Sequence, residues 1–297
     1  TLSVKFSSVI LFPVLIILWI VKYKTAKLNL WQNFKKSLWP AIIFLIISWV
    51  IVWANYGFST LMPSKYEQIL DKNYYNQILV KTQTFAKYFK PAQYYKGVAI
   101  LSSNSFGSRP AYLLGEQKYG GWWYYFPVAY AVKTPLPILI LLLGSIIYYF
   151  SIGKKLIFND YLIITPIVIY LLISMMQKLD IGVRHLLPIM RFIFIWCAKF
   201  MVEFYNKYRN QKSRIFLVTC YMLLVTWFIF GTIKIYPHFL SYFNETVGPK
   251  NGSQVLSDSN IDWGQDIKRL KTWLDDHQIT EPILLEYFWD GEDSIKP

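Results

Sequence analysis

Residues 120–137 read GGWWYYFPVAYAVKTPLP. Four consecutive aromatics, Trp122, Trp123, Tyr124 and Tyr125, suit a water–lipid boundary, where a ring is buried on one side and hydrated on the other. Lys133 follows, then Thr134-Pro135, which read as the cap and first-turn pair of a helix. The next run, Leu136 to Leu143, is apolar throughout. A cation therefore stands where a membrane helix starts, beside the positive end of its dipole. That seat fits a lipid phosphate and points to a lipid-linked substrate.

Outward from this stretch, the whole chain has a membrane composition. It is 55% hydrophobic and 19% aromatic, with a mean hydropathy of +0.31, too apolar for an ordinary soluble domain. Apolar segments at 6–21, 38–56, 134–150, 160–176, 186–202 and 215–235 predict about six spans, each needing about 20 residues. The third to fifth are short, so tilt or a partly immersed preceding segment, Phe126 to Val132, is expected. The expected class is mainly α: a polytopic helical membrane bundle over 1–235, a large outward loop at 57–126, and a small α/β tail over 236–297.

The short loops orient the bundle. Lys22, Lys24, Lys27, Lys35 and Lys36 lie between the first two segments, Lys154 and Lys155 after the third, and Lys207, Arg209, Lys212 and Arg214 between the fifth and sixth. Alternation puts all three basic sets on one side, the cytoplasmic side by the positive-inside rule. The loop 57–126, the turn at 177–184 and the tail then face outward from a plasma (inner) membrane. Topology thus accounts for much of the net charge of +14, and the tail itself holds five basic and eleven acidic residues. No nucleic acid partner is needed to explain the charge. Cys197 and Cys220 fall inside apolar segments, which excludes an extracellular disulfide framework. The chain opens at Thr1 beside an apolar run and closes after an apparent strand, so it reads as an internal piece of a longer protein.

The outward parts carry finer signals. Tyr66, Ile69 with Leu70, Tyr74, Ile78, Phe85, and Tyr88 with Phe89 recur at three- and four-residue steps, fitting a helix over 64–89 that lies in the interface or packs over the bundle mouth. Residues 102–121 are polar and turn-rich, and Glu116 is their only carboxylate, either a solvated loop acid or a substrate contact. In the tail, strands are expected at Gln254–Ser257 and Pro282–Phe288. A helix is expected over Asp262–Asp276, with Asp262 and Gln265 spaced as a capping box. Asp258, Asp262 and Asp266 recur every four residues, which leaves capping and solvation, ligand contact, or a divalent metal open. They lack the alternating ligands and turn glycine of a calcium loop. Asn244-Glu245-Thr246 and Asn251-Gly252-Ser253 match the glycosylation sequon.

A second cationic helix start is Asp180-Ile181-Gly182-Val183-Arg184-His185-Leu186-Leu187-Pro188. Pro188 belongs in a first turn, so the helix begins near Leu186. Arg184 and His185 then stand at its N-terminus, where orphan backbone donors favour an anion. Guanidinium binds phosphate bidentately, whereas an ammonium such as Lys133 acts as a point charge. Headgroup snorkelling is the competing reading. Arg191 lies two turns deeper, about 10 Å along the axis, and should face protein, a water cavity or a lipid phosphate.

Three stretches resemble one bacterial family of multi-pass glycosyltransferases: LLGEQKYGGWWYYFPVAYAVKTPLP at 113–137, DIGVRHLLPI at 180–189, and YPHFLSYFNETVGPKNGSQVLSDSNIDWGQDIKRLKTWL at 236–274. The family comprises phospholipid-carrier-dependent enzymes similar to dolichyl-phosphate-mannose protein mannosyltransferases. TLSVKFSSVILFPVL at the start is similar to a mid-protein span of that family. The resemblance implies the family C glycosyltransferase fold, and transfer of a sugar from a polyprenyl-phosphate donor to a glycan, lipid or protein acceptor. It implies a catalytic carboxylate in a first outward loop, which would precede Thr1, so no catalytic residue is assigned here. Lys133, Arg184 and His185 would hold the lipid phosphate, with Glu116 and Trp122 near the sugar. The tail motif with Asp262 and Gln265 would shape an acceptor or regulatory site. Arg191 stands where the family tends to have a second proline. A lipid-linked sugar flippase and a non-catalytic scaffold of the same fold are the rival classes.

Overall fold

A computed structural model describes residues 10–25, 29–59, 91, 93, 94, 97, 110–279 and 281. The expected interfacial helix at 64–89 and the strand at 282–288 lie outside these residues. The described chain is mainly helical. Helix α1 (Leu11–Thr25) is followed by α2 (Leu30–Asn55), and the two are tied where Ser37 Oγ accepts from Trp19 Nε1 at 2.9 Å. A hairpin of β1 (Pro110–Leu113) and β2 (Glu116–Tyr119) comes next, then α3 (Tyr125–Lys133), α4 (Leu136–Ser151) and α5 (Phe158–Met176). A 3-10 turn at Val183–Leu186 leads into α6 (Leu187–Tyr208), and α7 (Gln211–Ile235) returns.

Among the described residues, four helical stretches are long and apolar enough to cross a membrane: Phe34–Asn55, Phe158–Met176, Val183–Tyr208 and Ser213–Ile235. The pair α3 and α4, bent by 119°, makes a fifth when counted as one broken span. α1 contributes 15 described residues of the ~20 that a span needs. The multi-pass membrane class follows from these helices. α2 and α7 expose most of their apolar side chains, which in water would be untenable and in lipid is required.

The α3–α4 bend has a local cause. Pro135 and Pro137 bring no N–H, so the α3 ladder ends at Lys133, and Thr134 turns extended as its C-cap. Thr134 does not cap α4; Pro135 occupies that position without any side-chain bond. The carbonyls orphaned at the end of α3 are taken by the tail instead. Asn244 Nδ2 donates to the carbonyls of Ala131 at 2.6 Å and Thr134 at 2.8 Å, and its backbone N–H donates to that of Val132 at 2.9 Å. Asn244 is fully buried, so it is a capping residue and not a glycosylation acceptor.

α6 is the central element, packing on α4 and α5, while α1 packs on α5. The principal core lies at one end of the bundle, hereafter the tail end. There Leu113, Tyr125, Phe126, Ala129, Leu186, Ile189, Phe243 and Leu256 form one cluster, joining hairpin, α3, α6 and tail. A second cluster of Tyr148, Tyr149, Trp196 and Phe200 binds α4 to α6 toward the other end. Lys199 pairs with buried Asp160 there, and Lys154 with Glu203 at 2.5 Å.

The hairpin at 110–119 and the tail depart from the sequence expectation. Leu114 and Gly115 both take positive φ, 53° and 86°, the geometry of a tight two-residue hairpin turn. Gln254–Ser257 is not a strand. Gly252–Val255 form one helical turn, α8, and Leu256 makes a single antiparallel bridge to Leu113. The turn is pinned because the Phe243 ring fills the space a Cβ at Gly252 would need. The tail helix, α9, runs Ile267–Asp276 and not from Asp262, because Gly264 at φ +81° cannot continue a right-handed helix. Among the described residues the tail is therefore turns and helix, with one β-bridge.

Candidate functional site

The stretches 113–137, 180–189 and 236–274, distant in sequence, converge at the tail end. Their meeting point is Asn260, which is fully buried. Its Oδ1 accepts from the Val183 backbone N–H at 2.9 Å. Its Nδ2 donates to the Tyr125 hydroxyl at 2.9 Å and the Ser257 carbonyl at 3.0 Å. Ser259 Oγ donates to the Ile181 carbonyl, and Gly182 admits this contact because a Cβ there would strike Ser259 Oγ. A side-chain amide can serve donor and acceptor sides at once, which is why asparagine suits a three-element junction.

Lys133 sits in the same junction. Its Nζ donates to the carbonyls of Leu240 at 2.7 Å and Asn260 at 2.6 Å and lies 4.2 Å from the centre of the Phe243 ring. An ammonium has three N–H groups. Two carbonyls and a ring face occupy them, so Lys133 fastens the tail to the end of α3.

Arg184 is held differently. Its Cζ lies 3.5 Å from the centre of the Trp263 ring, a cation–π stack. Asp258 is exposed and lies within electrostatic reach of the guanidinium. Stacking engages the face of a guanidinium and leaves its N–H edge for planar recognition of an oxyanion. His185 is half-buried, with its ring 6.3 Å from that of Phe126 and nearly perpendicular to it.

Trp263 is presented by a turn that bonds to itself. Asp262 Oδ1 accepts from the Gly264 N–H at 3.0 Å. Gln265 Oε1 accepts from the Trp263 N–H at 2.6 Å, and its Nε2 donates to the Ile261 carbonyl at 3.2 Å. Asp262 and Gln265 are thus structural, but they shape this turn and do not cap α9. Asp266 bonds Arg269 at 2.7 Å. Among the described residues no three His, Cys, Asp or Glu side chains gather as metal ligands, so Asp258, Asp262 and Asp266 do not form one set.

Trp122 is half-buried, and its N–H donates to Asp180 Oδ2 at 2.7 Å. Gly121, at φ +62°, is required there because a Cβ would overlap that carboxylate. Asp180 is only 4% exposed, and its Oδ1 is buried with no hydrogen-bond partner among the described residues. Burial pushes its pKa up from 3.8 to about 6, against a smaller lowering by the Trp122 amide. Glu116 is exposed on β2, paired across the hairpin with Leu113. Arg191 is exposed on α6, and among the described residues no acid pairs with it.

Sequence reasoning picked out Arg184, Lys133 and Trp122, which the structure brings to one region, but missed Asn260, Trp263, Asp180 and Asn244. All four lie inside the three stretches or beside their motif residues. Nothing in their local spacing marked them, because each acts across a long sequence separation. Compared with known proteins, the chain matches no family model, no curated protein and no solved structure.

Proposed function

We propose that the chain is part of a membrane glycosyltransferase that moves a hexosyl or pentosyl group from a polyprenyl-phosphate donor. The acceptor is a glycan, lipid or protein hydroxyl at the outer face of the inner membrane. The observation that carries this reading is the convergence of the three resembling stretches at Asn260. One residue in sequence from its partner Val183, the Arg184 guanidinium stacks on Trp263 at the start of a membrane helix.

In the reaction the acceptor oxygen attacks the anomeric carbon, and the bond from that carbon to the phosphate oxygen breaks. The lipid phosphate leaves with the electron pair, and a general base takes the acceptor proton. Fixed positive charge where the phosphate gains charge is where such an enzyme gains rate. Arg184 supplies it, with His185 adjacent. Lys133 contributes by holding the tail against α3, and Trp122 and Asp180 fix the turn that enters α3. No base is assigned among the described residues.

The test uses full-length protein in proteoliposomes with a panel of hexosyl and pentosyl polyprenyl phosphates. Release of polyprenyl phosphate from at least one donor, lost in Arg184→Ala, supports the reading. No release from any donor by folded protein rejects it. A cysteine at Ser253 should label from outside intact cells; labelling only after permeabilisation would reverse the orientation.

A further inference from the structure

The Trp263 indole is clamped on one face by Arg184, yet Trp263 is 55% exposed. A large aromatic side chain held rigidly, with one face open to solvent, costs burial that the fold does not recover. The turn that presents it is fixed by Asp262 and Gln265 accepting from Gly264 and Trp263 backbone N–H groups, so the ring is aimed by its own loop.

Three occupants suit an open indole face: a cation, a hydrocarbon chain, or the C–H face of a sugar. A second cation would lie about 7 Å from the first across the ring, in repulsion with Arg184. A hydrocarbon chain would have to lie beside the Arg184 guanidinium and the exposed Asp258 within its electrostatic reach, a charged setting. A neutral polyol with one apolar face meets neither objection. The guanidinium beneath and the exposed Asp258 beside it are a phosphate donor set and a hydroxyl acceptor.

We propose that the open face of Trp263 is the platform on which the donor's sugar stacks, with its phosphate on Arg184 and a ring hydroxyl donating to Asp258. This rests on the glycosyltransferase reading and deepens it, because it makes the tail a specificity element for the sugar and not only an acceptor or regulatory site.

The experiment measures affinity of nanodisc-embedded full-length protein for bare polyprenyl phosphate and for its hexosyl and pentosyl derivatives. At least one derivative should bind wild type about tenfold tighter than the bare lipid. Trp263→Leu, which keeps apolar bulk without a flat face, should erase that preference, so that bare and glycosylated lipid bind with equal affinity. Trp263→Phe should retain most of the preference. No derivative preferred by wild type, a preference that survives Trp263→Leu, or equal loss for bare and glycosylated lipid would each overturn the platform. Failure of wild type to bind the bare lipid at all would instead reject the phosphate site on which the glycosyltransferase reading stands.

Discussion

The Cζ atom of Arg184 lies 3.5 Å from the centre of the Trp263 ring, so the head of a membrane-spanning-length helix and the tail after α7 share one cation. The 3-10 turn at Val183–Leu186 aims Arg184, and the Asp262–Gln265 turn aims Trp263.

On the proposed function, Arg184 is the residue whose change should affect donor use most. Arg184→Ala removes a charge-assisted contact worth roughly 1.5–3 kcal/mol, about ten- to hundredfold in donor affinity. Arg184→Lys keeps the charge but loses the fork and the flat stack, so its affinity should fall closer to the alanine variant than to wild type. Titration of polyprenyl phosphate against each variant checks both.

Lys133 should behave as a fastener. Lys133→Ala leaves the Leu240 and Asn260 carbonyls without their donor, a loss of about 1–3 kcal/mol for each buried group left unmade. The expected outcome is faster proteolytic release of the tail and a lower melting temperature, with bare and glycosylated lipid weakened alike. A variant of full stability that loses only phosphate binding would return Lys133 to direct phosphate contact.

Asn260→Asp should be no better tolerated than Asn260→Ala. The aspartate keeps an acceptor for Val183 but turns the donor to Tyr125 and Ser257 into a second acceptor, facing the Ser257 carbonyl at the observed 3.0 Å. Each broken partner costs about 1–3 kcal/mol. Thermal melting of the three proteins decides it, and an aspartate variant as stable as wild type would contradict the described roles of the amide.

Asp180 gives the tail end a pH dependence. Its pKa is raised by burial from 3.8 to about 6, so the folded state binds the proton more tightly than the unfolded chain. The stabilisation is full below about 3.8 and is lost as pH rises through about 6, with an upper bound of roughly 3 kcal/mol. Asp180→Asn can still accept from Trp122 and should flatten the melting temperature between pH 4 and 6.5. A wild-type profile with no fall across that window would show that Asp180 is ionised at little cost.

How much of this was legible in the sequence depends on the range of the interactions. The long apolar helices follow from composition, because lipid exposure demands apolar residues on every face of α2 and α7. The break before α4 follows from Pro135 and Pro137. The hairpin does not, since Leu114 takes a conformation that leucine disfavours and β2, reading EQKY, has no apolar alternation. The helix at 262 was misplaced because Asp262 and Gln265 have capping-box spacing, yet Gly264 turns the chain and redirects both side chains into it. Lys133 reads as a seat for a lipid phosphate in sequence, and only the tail's carbonyls, more than a hundred residues away, reveal it as a tie.

The central claim is that the three converging stretches form one lipid-phosphate site around Arg184. Photocrosslinking with a polyprenyl phosphate carrying a diazirine on the isoprene unit next to the phosphate tests it most directly. Adducts should map to peptides containing 180–189 and 258–266, and excess unlabelled polyprenyl phosphate should suppress them. Suppressible adducts confined to the opposite end of the bundle, around 152–158 or 203–214, would contradict the account.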